Sequence, residues 1–206
     1  MFRDFVKHLF PRVVLRQNLK LSYTFCLGGL AFTTLLVLTA SGLLLLFYYQ
    51  PGAAEAYRSI IFLEESVYGG KYLRNLHRLA SHSFLVLLFL HILRVVLTGA
   101  YAPPRQRNWL TGVCLLGLGI FEAYTGYLLP MDQLALWATQ TGMTLLEAAP
   151  LGHLATALLV PDSVDGPLSL LRFYVLHIVV LPVFTFSLCL LHFYQVRKQK
   201  GLLPYL

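Results

Sequence analysis

The sequence predicts an all-α membrane protein, a bundle of four transmembrane helices. Of its 206 residues, 57% are hydrophobic and 12% are charged, a balance outside the range of soluble domains. Charged residues are missing, or nearly so, from four long stretches, each able to cross the ~30 Å of bilayer hydrocarbon as a helix. The predicted spans, named A to D in chain order, cover about residues 22–49, 76–100, 109–129 and 171–196.

Proline and glycine mark the ends of the first three spans. Span A is followed by Pro51-Gly52, span B by Pro103-Pro104 and span C by Pro130, none of which continues a helix readily. Pro182 lies inside span D and is expected to kink it.

The connection between spans C and D, residues 133–161, is mostly apolar. Gly142, Pro150 and Gly152 divide it into pieces too short to cross a bilayer. We therefore expect short helices lying in the membrane interface. No internal repeat of short period is evident, so residues 1–206 are expected to form one domain.

Charge is distributed asymmetrically when the spans alternate through the membrane. Both ends and the second connection form a basic side, with Arg3, Lys7, Arg12, Arg16, Lys20, Arg105, Arg107, Arg197, Lys198 and Lys200. The other side is acidic, with Glu55, Glu64, Glu65, Asp132, Glu147, Asp162 and Asp165. The positive-inside rule places both termini in the cytoplasm, in the energy-transducing inner membrane of a bacterial cell. The net charge of +7 is therefore interpreted as topology, and no nucleic-acid partner is expected.

The N-terminal segment and the cysteines exclude several alternatives. The first twenty residues are basic and have no small-residue cleavage site before span A, so no removable signal peptide is expected. Cys26, Cys114 and Cys189 lie in apolar spans, without a C-x-x-C or C-x-x-C-H motif. Neither a zinc ribbon nor ordinary c-type haem attachment is encoded.

Four histidines lie in spans B and D: His77 and His91, 14 residues apart, and His177 and His192, 15 apart. Fourteen helical steps return a side chain to within ~40° of its starting face and ~21 Å along the axis, while fifteen steps miss by ~60°. A single histidine in a helix is usually a packed residue. Two matching pairs in lipid, where polar groups are costly and usually functional, suit two flat ligands stacked through the bilayer.

Spans B and D run in the same direction in an alternating bundle. This topology pairs His77 with His177 near the acidic side, and His91 with His192 near the basic side. Neutral imidazole is a common axial ligand of haem iron. The sequence therefore predicts two stacked b-type haems, each held by two histidines.

Glycines and arginines add a second signal. Spans A and C carry Gly28 and Gly42, and Gly112 and Gly126, each pair 14 residues apart. Glycine makes room where a ring approaches the backbone, although membrane helices also use small residues for ordinary packing. The arginines near the histidines, which would pair with haem propionates or extend towards the lipid headgroups, are Arg74, Arg78 and Arg94.

Several strings resemble the cytochrome b family, most closely its short four-helix cytochrome b6 type. They are Phe25-Cys26-Leu27-Gly28-Gly29, Gly126-Tyr127-Leu128-Leu129-Pro130-Met131-Asp132-Gln133, Arg172-Phe173-Tyr174-Val175-Leu176-His177 and Arg197-Lys198-Gln199. The resemblance covers about residues 20–201, and the 15-residue spacing of His177 and His192 is similar to that of the b6 type.

This resemblance implies a subunit of a quinol:cytochrome c or plastocyanin-type oxidoreductase, not active alone, that carries electrons across the bilayer. Quinol would be oxidised near residues 126–137, and quinone reduced at the basic side, where Arg197 and Lys198 lie. The implied partners are a second cytochrome b half resembling subunit IV, a Rieske iron–sulfur protein, a c-type cytochrome and a second copy of the complex. Cys26 would hold an additional haem through one thioether bond.

The chain departs from the family pattern at the acidic side. Met131 replaces a tryptophan, Val160-Pro161 replaces an Arg-Gly pair, and the Pro-Glu-Trp-Tyr motif is absent from the sequence. Two alternatives stay open: a haem-bearing anchor that relays electrons for another dehydrogenase or oxidoreductase complex, and a structural subunit without haem.

Overall fold

The computed structural model describes residues 26–198, which are helical with no strand among them. The helices are α1 (Leu27–Leu45), α2 (Glu55–Ser66), α3 (Gly70–Leu97), α4 (Gln106–Leu128), α5 (Gln133–Glu147), α6 (Gly152–Leu159) and α7 (Pro167–Lys198). Four of them, α1, α3, α4 and α7, are long and apolar enough to cross a membrane, which confirms the predicted four-span fold. The predicted start of span A at residue 22, the basic N-terminal segment, Gln199 and Lys200 lie outside the described residues.

The described chain divides into two compact units, each containing part of every spanning helix. The first unit comprises residues 26–36, 81–120 and 183–198, and the second comprises residues 37–80 and 121–182. His91 and His192 belong to the first unit, and His77 and His177 belong to the second.

Aromatic contacts join the helices of the first unit. The ring of Phe32 on α1 meets Phe186 and Phe193 on α7 edge to face, with centroids 6.5 Å and 5.0 Å away. On α4, Gly119 lies against Phe84 and Leu88 of α3, so closely that an added Cβ would be 2.7 Å from the Leu88 methyl group.

The core of the second unit forms around three buried side chains, Leu128, Met143 and Phe173. They come from α4, α5 and α7, and Tyr124 and Leu146 pack against them. The short helix α5 is therefore fixed to two spanning helices.

Two spanning helices begin earlier than expected. Helix α3 starts at Gly70 instead of near residue 76, because Gly69 has φ +75° and Gly70 is pressed against the carbonyl of Leu63, where no side chain would fit. Helix α7 starts at Pro167 instead of near residue 171, because proline is well suited to a first helical turn.

The other bounds differ at their ends. Helix α1 ends at Leu45 instead of near Tyr49, because the N–H groups of Phe47 and Tyr48 bond to carbonyls only three residues back. Helix α3 ends at Leu97, before Gly99 with φ +64°. Helix α4 covers Gln106–Leu128, close to the expected 109–129.

Helix α2 was not expected from the sequence. Its charged residues, including Glu55, Arg58 and Glu64, exclude it from the bilayer, so a search for apolar spans passes over it. It nevertheless buries Ala56 and Leu63 along one face.

The two short helices predicted between spans C and D are present as α5 and α6. Asp132 caps α5 by accepting a hydrogen bond from the Ala135 N–H at 2.9 Å. Leu151, with φ +62°, separates α5 from α6.

Asp162 stabilises the start of α7. Its carboxylate accepts hydrogen bonds from the N–H groups of Leu168 (3.0 Å) and Ser169 (3.2 Å) and from the Ser169 hydroxyl. The Ser169 hydroxyl is the main cause that holds the pKa of Asp162 at about 2. The carboxylate therefore stays ionised and capping at neutral pH.

Tyr49 joins the end of α1 to the end of α4. Its hydroxyl donates to the Leu129 carbonyl at 2.7 Å, and its ring lies 5.2 Å from that of Tyr174. Burial, followed by the effect of Tyr174, raises the pKa of Tyr49 well above its usual value, so the donor proton is retained.

We expect Tyr49→Phe to lower the free energy of unfolding by about 1 kcal/mol, because the substitution leaves the Leu129 carbonyl without this donor. Denaturation of the purified protein in detergent measures the change. Tyr48→Phe is the matched control, since the Tyr48 hydroxyl has no hydrogen bond within residues 26–198. Equal effects of the two substitutions would contradict the role of the Tyr49 hydroxyl.

Candidate functional site

The four histidines meet in two pairs. The ring centroids of His77 and His177 are 6.4 Å apart in the second unit, and those of His91 and His192 are also 6.4 Å apart in the first unit. Two metal–nitrogen bonds of about 2.0 Å and two ring radii of about 1.1 Å nearly fill this separation. Each pair is therefore spaced to bind one metal ion between two imidazoles.

In the second unit, both histidines have polar neighbours at Nδ1. His177 Nδ1 lies 3.1 Å from the Glu122 carbonyl oxygen and 3.2 Å from Thr125 Oγ1. A carbonyl can only accept a hydrogen bond, so Nδ1 of His177 carries the proton and Nε2 keeps its lone pair for a metal. His77 Nδ1 lies 2.8 Å from Ser41 Oγ.

In the first unit, the surroundings of Nδ1 are different. The backbone of Asn108 lies beside His192 Nδ1 without the geometry of a full hydrogen bond. Thr111 Oγ1 donates to the Arg107 carbonyl at 3.0 Å and lies 3.1 Å from Gln195 Oε1. The two pairs therefore share their spacing but differ in their hydrogen bonds.

Each of the four predicted glycines lies against one histidine. An added Cβ would lie 3.2 Å from Cε1 of His91 at Gly28, 3.3 Å from His77 at Gly42, 3.4 Å from His192 at Gly112 and 2.5 Å from His177 at Gly126. The sequence interpretation gave this space to a porphyrin. In the structure, the imidazole ring itself is the nearest neighbour.

Helix α7 contains a π turn at Leu176–Val180, which includes His177. The N–H of Leu181 bonds to the carbonyl of Leu176, five residues back, immediately before Pro182. A π turn takes up about one residue more than an α turn, so the 15 residues from His177 to His192 act as about 14 α-helical steps. This removes the misfit of ~60° that an ideal helix predicts.

The predicted arginines lie in different surroundings. Arg74 forms an ion pair with Glu64 of α2. Arg78 is exposed, whereas Arg94 is half-buried in the last turn of α3, in the same unit as His91. Pairing of these arginines with a cofactor stays a prediction.

The remaining predicted residues lie at helix ends of the first unit. Cys26 precedes α1 with φ +50°, its side chain is exposed, and its carbonyl accepts a hydrogen bond from the Leu30 N–H. Arg197 and Lys198 form the last turn of α7, and Lys198 Nζ lies 6.0 Å from the centre of the Tyr194 ring.

Sequence reasoning missed the hydroxyl groups around Nδ1. Ser41 precedes Gly42 directly, and Thr125 precedes Gly126 in the same way. A third such dipeptide, Thr111-Gly112, lies 14 residues before Thr125-Gly126 on α4. A hydroxyl residue directly before a glycine of the 14-residue pattern is the signal that could have found them.

Comparisons with known proteins agree with this arrangement. The family model described as cytochrome b/b6/petB matches residues 13–200. The cytochrome b subunit of menaquinol:cytochrome c reductase from Bacillus subtilis (strain 168) is 38% identical over 202 residues, which cover 97% of this chain and 90% of that protein. Cytochrome b6 of Auxenochlorella protothecoides is 39% identical over 176 residues, covering 85% of this chain and 82% of that protein.

A solved structure shows the same fold. A chain of the "Hyperthermophilic respiratory Complex III" matches with a TM-score of 0.80 and 25% identity, over 95% of this chain and 52% of its own length. The present chain thus spans about half of that solved chain. Since the family model extends over almost the whole sequence, this chain belongs to the cytochrome b/b6 family.

Proposed function

We propose that this chain is the di-haem cytochrome b subunit of a membrane quinol:cytochrome c or plastocyanin-type oxidoreductase, and carries electrons from a quinol-oxidation site to a quinone-reduction site. Its four apolar helices and its family make it a multi-pass membrane protein. The observation that carries the proposal is the pair of facing histidine sites with the same ring separation of 6.4 Å. The relatives named above are redox subunits of such complexes.

The residues of both sites fit b-type haem. Two facing imidazoles occupy opposite positions of an octahedral metal and leave four positions for the nitrogens of a porphyrin. His77 and His177 would hold one haem and His91 and His192 the other, through Nε2. Haem supplies reversible one-electron transfer when bound. The protein orients the imidazoles, clears space for them at the glycines and excludes water with apolar helices.

We propose that half-buried Arg94 pairs with a propionate of the haem held by His91 and His192. A guanidinium inside a membrane span is costly unless a charge or polar group compensates it. Arg78 is exposed and would act at the edge of the other site. Arg74 already has Glu64 as its partner, so its pairing with a propionate is the weakest of the three.

Cys26 is the proposed attachment site of an additional haem, through a single thioether bond. Its side chain is exposed at the start of α1, two residues before Gly28, which lies against His91. The Phe-Cys-Leu-Gly-Gly string supports the same assignment. Arg197 and Lys198 belong to the same unit and would line the quinone-reduction pocket.

The proposed partners follow from what this chain leaves out. It spans 52% of the solved chain, which supports a second cytochrome b half resembling subunit IV, with a Pro-Glu-Trp-Tyr segment for the quinol pocket. A Rieske protein and a c-type cytochrome would accept the other electron, within a homodimeric complex. We place the chain in a bacterial inner membrane with both termini in the cytoplasm, and the named reductase relative suggests menaquinol as its quinol.

Purification of the native complex tests this function directly. We expect paired b-type bands in the reduced-minus-oxidised spectrum, quinol oxidation by the complex, and a Rieske protein among its subunits. Absence of b-type bands would exclude every redox function. Bands without quinol oxidation would instead favour the haem-bearing anchor.

We expect His91→Ala or His192→Ala to remove one haem and leave the other, so that about half of the b-type absorbance is lost. Each iron needs one imidazole from α3 and one from α7. Haem content per polypeptide measures the loss. The pairing would be contradicted if one substitution emptied both sites of a folded protein, or if His77→Ala and His192→Ala together left one haem intact.

We expect Gly126→Ala to disturb the haem held by His177, because the new methyl group would lie 2.5 Å from Cε1 and force the imidazole to move. Overpacking of this kind costs about 1–3 kcal/mol. Gly112→Ala is the matched control, since its methyl group would lie 3.4 Å from His192, an ordinary contact. Haem content and redox titration measure both variants, and a larger effect of Gly112→Ala would contradict this account.

We expect the denatured polypeptide, after extraction with acidic acetone, to be heavier than its sequence by the mass of one haem. Cys26→Ser should have the mass of the bare chain and lose the haem stain on a denaturing gel. A wild-type mass equal to that of the bare sequence would remove the covalent haem from the proposal.

A further inference from the structure

Ser41 is a buried polar residue of α1 that contacts one of the histidines. Its side chain is 3% exposed, and its Oγ lies 2.8 Å from Nδ1 of His77. Both residues belong to the second unit. The contact therefore joins α1 to α3 at the imidazole that faces His177.

The direction of this hydrogen bond follows from the other neighbours of Ser41. Its hydroxyl lies 2.7 Å from the Val37 carbonyl and 3.2 Å from the Leu38 carbonyl, both of which can only accept. A hydroxyl has one proton, and the short bond to Val37 uses it. Ser41 Oγ therefore accepts the proton of His77 Nδ1.

This direction decides which nitrogen of His77 is available. If Ser41 donated to Nδ1, the proton of neutral His77 would lie on Nε2 and block a metal bond. With Nδ1 as the donor, Nε2 presents its lone pair. His177 reaches the same state through the Glu122 carbonyl, 3.1 Å from its Nδ1.

We propose that Ser41 is a positioning residue of the site formed by His77 and His177, which selects the metal-binding tautomer of His77 and lowers the reduction potential of the bound haem. The proposal rests on the proposed function. A hydrogen bond donated by the second nitrogen of a coordinated imidazole makes the imidazole a stronger electron donor. Stronger donation stabilises the ferric state, so losing the bond should raise the potential.

Redox titration of the b-type absorbance in the purified complex tests this role, with three variants. Ser41→Ala removes the acceptor, and Ser41→Thr keeps a hydroxyl at the same position. Ser187→Ala is the matched control, because Ser187 makes the same backbone bond, to Val183 at 2.7 Å, but contacts no histidine. The haem that remains in His91→Ala identifies which of the two transitions belongs to His77 and His177.

We expect Ser41→Ala to shift that transition to a more positive potential, or to lose that haem alone, while Ser41→Thr restores the wild-type titration. The other haem and the Ser187→Ala variant should be unchanged. An unshifted transition in Ser41→Ala, or an equal shift in Ser187→Ala, would overturn the role of Ser41 and leave the function intact. A wild-type complex without two b-type transitions would instead refute the proposed function.

Discussion

Placing the imidazole N–H on an acceptor is the constraint on which the rest of the structure depends. Hydrocarbon offers no acceptor, so the protein has to supply one. In the second unit, His77 of α3 contacts Ser41 of α1, and His177 of α7 contacts the Glu122 carbonyl of α4. The facing rings of the two histidines complete the set of contacts. Two side chains and their second nitrogens thus bring together all four spanning helices in this unit.

Close approach between glycine and imidazole sets the tolerance of each site. All four glycines of the 14-residue pattern lie against a histidine ring, but their clearances for a methyl group range from 2.5 Å at Gly126 to 3.4 Å at Gly112. The tightest of them is on α4, beside the π turn that positions His177. The site with complete hydrogen bonds is therefore also the site with the least freedom for its rings.

The connecting segments hold helix ends of the second unit with polar contacts. Asp162 caps the start of α7, the hydroxyl of Tyr49 closes the end of α4, and Arg74 of α3 pairs with Glu64 of α2. These contacts lie on segments that flank His77 and His177 along the chain. They limit the sliding of α3 and α7, on which a constant distance between two imidazoles depends.

The sequence by itself determined the four spans, the four histidines and their partners, because hydropathy and a 14-residue period remain readable wherever lipid surrounds a helix. It missed α2, whose polar face resembles an ordinary loop. Only the tertiary structure decided that Ser41 and the Glu122 carbonyl receive the imidazole protons, and that a π turn brings His177 into register with His192. Those features depend on which helix faces meet and on backbone carbonyl groups, which every residue carries and no sequence pattern marks.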